Sequence, residues 1–255
     1  MLKIRRDKRF AVLLVCLLML MSMISVLPVI SAQPPQPLSP EELRARGYAS
    51  DRTDYWYSLK DNIAAVSGDI DISVENWDGN DQDVTFYGEA QINLNYGGTY
   101  KYAEFIAAIY NYSGVPYHCY GIMLDDHGTE YTDQRNDLLH WSIEDKGNGK
   151  VKAVLKDGSG NVVLSREATV GSGAMNIAGV VTSAEFYYAS SGQGLPKKLE
   201  ADPWHKSVRY HDGTIGNFKN AVKSQGYNGD STYTKIVHHT GSTYYYDWAE
   251  GGTDL

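Results

Sequence analysis

Hydrophobic and polar residues alternate with a period of two along much of this chain. Between residues 84 and 96 the even positions are Val84, Phe86, Gly88, Ala90, Ile92, Leu94 and Tyr96, and the odd ones are Thr85, Tyr87, Glu89, Gln91, Asn93 and Asn95. That pattern predicts a strand with one buried and one wet face, because successive side chains of a strand point to opposite sides of its sheet. From Gly68 onward the same period places Ile70, Ile72 and Val74 on one face and Asp69, Asp71, Ser73 and Glu75 on the other. Three further apolar runs, 138–143, 151–155 and 161–164, are joined by Lys146-Gly147-Asn148-Gly149 and Asp157-Gly158-Ser159-Gly160. Glycines there supply the positive φ of tight reversals, so three consecutive antiparallel strands follow from local signals alone.

The remaining strand candidates are 54–59, 100–112, 117–124, 180–189, 207–210, 234–238 and 243–248, with a helix as the competing reading of the Ala-rich centre of 100–112. Two short helices are expected. One opens at Ser39-Pro40-Glu41-Glu42, a capping serine followed by first-turn carboxylates, and ends at Gly47; the other covers 218–224. Many short strands without alternating long helices predict an all-β fold, an antiparallel β-sandwich of jelly-roll type.

The amino terminus changes the picture of where the fold works. Residues 1–10 carry five basic side chains and one acidic one, and 10–30 are almost unbroken hydrocarbon before Ile30-Ser31-Ala32. Residues 1–32 therefore read as a secretory signal peptide, with an uncleaved membrane anchor through 10–30 as the alternative. Either way the body is expected to be secreted or displayed on the extracellular cell surface. Residues 33–60 form a proline-rich spacer and N-terminal arm, and 61–255 a single sandwich domain.

Without residues 1–32 the chain has 18 basic and 30 acidic side chains, a net charge of −12. Nucleic acid and anionic membranes are poor partners for that balance. Cys119 is the only cysteine outside the leader, so no intramolecular disulfide can form there; beside His118 on a strand it reads as a small buried hydrophobe rather than a nucleophile. No Gly-x-Ser-x-Gly, His-Glu-x-x-His or phosphate-binding glycine loop occurs. His238 and His239 point to opposite faces of a strand, and His205 and His211 lie too far apart to share a ligand.

Three constellations remain. Acidic loops come first: Asp78, Asn80, Asp81 and Asp83 form one oxygen-rich set and Asp125, Asp126 and Glu130 another, both suited to a structural calcium ion that would steady loops lacking disulfides. Exposed aromatics come second, with Trp77, Trp204 and Tyr245 in turn-rich or polar surroundings where flat rings stack on sugars, whereas Trp141 shares a face with Leu139 and Ile143 and belongs to the core. Paired carboxylates come third: Asp69 and Asp71 on one strand face would stand ~7 Å apart, a spacing suited to two-acid glycoside hydrolysis. The stretch Asp69-Ile70-Asp71-Ile72-Ser73-Val74-Glu75 resembles the acid-rich active strand of laminarinase-type glucanases, with an aspartate where that family opens on glutamate and Glu75 one place late. The resemblance implies a polysaccharide hydrolase.

The leading expectation is a glycan-binding module with calcium-steadied loops, whose partner is a glycan or another cell-envelope component. A structural subunit that self-associates in a surface layer or filament through its N-terminal arm is the first alternative, and a secreted carboxylate-dependent polysaccharide hydrolase the second. Asn111-Tyr112-Ser113 is a glycosylation sequon.

Overall fold

The computed structural model describes residues 35–59, 62–75, 84–112, 115–133, 138–189, 195–218, 222–227, 232–240 and 245–253. Residues from Gln36 onward form one compact unit. It is an antiparallel β-sandwich, as the period-two pattern requires. One sheet has seven strands in the order β13 (Val222–Tyr227), β1 (Ala49–Ser58), β10 (Asn176–Tyr188), β3 (Thr85–Tyr96), β4 (Thr99–Tyr112), β5 (Val115–Leu124) and β6 (Thr129–Tyr131). The other has eight: β14 (Thr234–Thr240), β15 (Tyr245–Gly251), β11 (Lys198–Tyr210), β2 (Ile63–Glu75), β7 (Leu139–Gly147), β8 (Lys150–Lys156) and β9 (Val162–Thr169) in order, with β12 (Ile215–Gly216) pairing β11 off that path. Among the described residues no helix is long and apolar enough to cross a membrane.

The core lies between the sheets and takes the even positions of β3 and the odd positions of β4 and β7, including Phe86, Ile92, Phe105, Trp141 and Ile143. Trp141 stacks on Phe105 with ring centroids 5.1 Å apart, and its indole N–H donates to the Asp69 carbonyl at 3.0 Å. Burial of each such side chain stabilises the fold by about 1.5–3 kcal/mol. Cys119 is buried and its thiol is not in a disulfide.

A second, smaller cluster lies on the outer face of the seven-stranded sheet and changes the expected character of β3. Helix α1 (Pro40–Ala45) begins with the predicted capping box, in which Ser39 and Glu42 satisfy each other's backbone N–H groups, and Gly47 beyond its end adopts a φ of 82°. This helix buries Leu43 among Tyr87, Ile106, Ala108, Tyr110, Cys119 and Tyr187. The odd face of β3 is therefore wet only toward its carboxyl end. Tyr87 and Glu89, expected in solvent, are buried.

Two further expectations are corrected. Residues 218–224 were expected to be helical, but Val222–Tyr227 pairs with β1 as the edge strand β13; its polar Lys-Ser-Gln-Gly sequence suits an edge strand, and glycine is a poor helix former. The strand expected at 207–210 is the end of a much longer one, because β11 continues back through Pro203 to Lys198. Proline lacks the amide hydrogen a ladder needs, and the pairing of β11 with β15 skips Asp202 and Pro203 while β2 pairs along both. The strand expected at 54–59 is present as part of β1, which ends at Ser58 and lies between β10 and β13.

Candidate functional site

The register of the seven-stranded sheet builds a group of carboxyls on its outer face. Arg52 of β1 lies opposite Glu185 of β10, which lies opposite Tyr87 of β3. One step along, Asp54, Ser183, Glu89 and Ile106 stand abreast; one step further, Trp56, Val181, Gln91 and Glu104 do. Glu89 thus has Glu185 diagonal to it on one side and Glu104 on the other, about 7–8 Å away by sheet geometry, within reach of long side chains. All three carboxyls are buried, at 3% (Glu89), 8% (Glu104) and 4% (Glu185) exposure.

These residues share a cavity of about 890 Å³ with Tyr102, Met123, Tyr131, the Asp125–Glu130 segment and residues 36–44. Residues 36–44 supply one wall in the form of polypeptide. The Tyr87 hydroxyl donates to the Leu38 carbonyl, and Arg44 donates to the Tyr187 hydroxyl at 2.7 Å while lying over that ring. Eight carboxyl-bearing residues line the cavity against two arginines. Its floor therefore disfavours further ionisation.

The proton balance follows from burial and from those neighbours. Burial, then Glu104 and Glu185, push the Glu89 carboxyl well above its ordinary range. Burial and then Glu185 push Glu104 up to about 8, against the opposing pull of Arg52. Glu185 is held differently. Arg52 Nη1 donates to its Oε1 and the Tyr187 hydroxyl to its Oε2 at 2.9 Å, so its charge is compensated on both oxygens. The cavity floor therefore combines an ion-paired carboxylate with two buried carboxyls whose charged forms are disfavoured.

The residues singled out from sequence are distributed elsewhere. Asp69 is buried on β2 rather than solvated, its Oδ1 lying 2.6 Å from His140 Nδ1 and its Oδ2 paired with Lys206. Asp71 accepts from the Ile72 N–H at 2.8 Å. Asp125 and Asp126 both pair with Lys101, at 2.5 and 3.3 Å, and Glu130 pairs with Arg166 at 3.0 Å. These three line the rim of the cavity. Trp204 is half-buried with the Lys206 ammonium 5.4 Å from its ring, and Tyr245 lies on β15 opposite His205 and Thr240. Trp77, Asp78, Asn80, Asp81 and Asp83 lie outside the described residues. Among the described residues no three His, Cys, Asp or Glu side chains gather in an arrangement that could hold a metal ion.

Sequence reasoning missed Glu89, Glu104, Glu185 and Arg52, although a signal existed. On the face that carries Glu104, β4 also carries Ile106 and Ala108, while Phe105, Ala107 and Ile109 fill the other face. A strand apolar on both sides is covered on both sides, and a glutamate on it is buried. It also missed an interior polar cluster between the sheets. Asp247 there accepts from Tyr57 at 2.6 Å and Thr182 at 2.5 Å, with His238 Nδ1 2.6 Å away and His205 Nε2 2.9 Å from the Thr182 hydroxyl. Burial pushes the Asp247 carboxyl up, and its contacts with His205, His238 and Thr182 outweigh that, holding it well below the usual range.

No family model and no curated protein matches the chain. Some solved structures align with the chain at low identity. Scytalido-glutamic peptidase with a peptide-based transition-state analog aligns at 14% identity over 78% of this chain and 98% of that one, with a TM-score of 0.47. SCP-B, a member of the Eqolisin family of peptidases in complex with the tripeptide Ala-Ile-His, aligns at 14% identity over the same shares with a TM-score of 0.44. The CBM2 module of an evolved Dit from Lactobacillus casei BL23 phage J-1 aligns at 10% identity over 79% of this chain and 63% of that one, with a TM-score of 0.28.

Proposed function

We propose that this protein is an acid-acting hydrolase that cleaves peptide bonds with a pair of carboxyls, Glu185 as base and Glu89 as acid. The observation that carries the reading is the opposition, on one sheet face, of an ion-paired carboxylate and two buried carboxyls without an ion pair among the described residues, all lining one cavity. Peptide is favoured as substrate because the same face already grips polypeptide, through the Tyr87 bond to the Leu38 carbonyl.

The steps balance. Water oxygen bonds to the carbonyl carbon as its proton passes to Glu185, and the Glu89 proton passes to the carbonyl oxygen. The C–N bond of the resulting diol then breaks, the leaving nitrogen takes the proton from Glu185, and a diol hydroxyl returns one to Glu89. Glu104, beyond Glu89, discourages ionisation of Glu89 and so keeps the acid loaded. An export signal in residues 1–32 would place this chemistry outside the cytoplasm.

The test incubates the full chain with an unfolded protein and, separately, with a panel of β-glucans between pH 3 and 9, products being read by mass spectrometry. Peptide cleavage that falls away toward pH 8 and disappears in Glu185→Gln and Glu89→Gln is expected. Cleavage of glucan alone would keep the carboxyl pair and replace the substrate. Turnover of neither would overturn the reading.

A second reading, glycan binding, is favoured by Trp56, which is 38% exposed and stands in the same row of the sheet as Gln91 and Glu104. In that reading Trp204 offers another ring, and calcium would be held by Asp78, Asn80, Asp81 and Asp83. A glycan array with and without chelator tests it; silence in both would remove it.

A further inference from the structure

We propose that Arg52 is a positioning residue that makes Glu185 the charged member of the carboxyl set and fixes both its place and its ionisation; the inference rests on the hydrolase reading of the same site. Arg52 does not depend on Glu185 for its own position. Its Nε donates to Asp54 at 2.8 Å, and Nη2 donates to Ser183 at 3.1 Å and Gln91 at 3.3 Å, so β1, β10 and β3 all hold the guanidinium. Ser183 in turn donates to Asp54 at 2.8 Å, which fixes that carboxylate against the arginine. Nη1 is left to meet Glu185 Oε1, with the Tyr187 hydroxyl on the other oxygen. A planar, permanently charged fork with several donors can bridge four partners in this way, whereas a lysine ammonium cannot.

The cation also decides where protons rest. Asp54, Glu89, Glu104 and Glu185 face one another across β1, β3, β4 and β10, and among the described residues neither Glu89 nor Glu104 has an ion pair. Arg44, the other arginine of the cavity, bonds to the Tyr187 hydroxyl. Without Arg52, Glu89, Glu104 and Glu185 would share no cation in contact among the described residues, and like-charge repulsion would favour a proton on Glu185 as well. The base would then be occupied. A bridge that served only stability would leave the proton count of the other carboxyls and the pH dependence of the rate where they were.

The experiment compares the wild-type full chain with Arg52→Gln and Arg52→Lys. Potentiometric titration of the substrate-free protein should show Arg52→Gln holding about one more proton than wild type at pH 6, and Arg52→Lys none. With the peptide identified in the hydrolysis assay, Arg52→Gln should move the acid limb of kcat/KM upward by about one pH unit or more, a tenfold change in an ionisation constant. KM should stay within about twofold, because each guanidinium nitrogen of Arg52 already donates to a protein partner. Arg52→Lys should keep the wild-type limb at about tenfold lower kcat. Identical proton binding in wild type and Arg52→Gln would overturn the proposal. An extra proton without turnover of any substrate would leave the assignment of Glu185 standing and sink the hydrolase reading instead. If Arg52→Gln does not fold, Arg52→Lys decides, since undiminished kcat there would contradict the need for a fork.

Discussion

Glu104→Gln should make this protein more stable, by a margin that opens above pH 4.5 and grows until about pH 8. Burial and the neighbouring Glu185 raise the Glu104 carboxyl from an ordinary 4.5 to about 8. A group raised in the folded state contributes stability that is fully present below its unfolded value and is lost as pH rises through its folded one. Wild type should therefore lose stability between pH 4.5 and 8 on account of this residue. The rise of about 3.5 units corresponds to a ceiling of about 5 kcal/mol at 1.36 kcal/mol per unit, and relaxation around a charged Glu104 would lower that figure. Glutamine has the same shape and no charge to bury. At pH 4.5 the two proteins should unfold together; at pH 9 the variant should melt on the order of 10 °C higher, given about 2–4 °C per kcal/mol for a domain of this size. Circular dichroism melts at pH 4.5, 6, 8 and 9 provide the assay. A variant that is less stable than wild type at pH 9, or a stability difference that does not change with pH, would refute the reasoning.

Other parts of the structure give sharper or simpler outcomes. Gly68→Ala should cost more than about 3 kcal/mol, because a Cβ there would lie 1.7 Å from the Trp204 carbonyl oxygen and 2.6 Å from the Trp141 ring; denaturant melts would show it, and a near-neutral result would contradict the packing of β2 against Trp141. Asp247→Asn removes a buried charged acceptor from Tyr57, Thr182 and His238 and should cost about 3 kcal/mol at pH 7, with a smaller loss near pH 2 where the wild-type carboxyl begins to protonate; equal losses at both would exclude the charge as the cause. Ser39→Ala breaks the capping box and should cost about 1 kcal/mol, read as early hydrogen exchange in α1; unchanged exchange would mean that Leu43 alone anchors the helix.

The alternation of side chains made the sandwich legible, and the glycine turns at 147–149 and 157–160 made β7, β8 and β9 legible in order. Helix α1 was legible from its capping box. The outer face of the seven-stranded sheet was not, because its cover comes from α1, far away in sequence, and period two alone assigns polar odd positions to water. Glu89 was read as solvent-facing for that reason, and Glu104 and Glu185 were overlooked because no single motif contains them: they meet only through the register of β10, β3 and β4. Asp69 and Asp71 stood out by local spacing, yet His140 and Lys206 occupy the carboxylate of Asp69 from β7 and β11. The interior set of Tyr57, Thr182, His205, His238 and Asp247 spans five strands and has no local signature either.

The claim on which the account depends is that two glutamic acids on this sheet face hold their protons above the ordinary carboxyl range beside an ion-paired glutamate. Carbon-13 NMR of glutamate side-chain carboxyls, followed from pH 3 to 10 in wild type, Glu89→Gln and Glu104→Gln, measures it directly. One resonance titrating near pH 8 and missing from Glu104→Gln, and a second displaced upward from the ordinary carboxyl range and missing from Glu89→Gln, are the predicted result; every glutamate titrating in the ordinary range would contradict it.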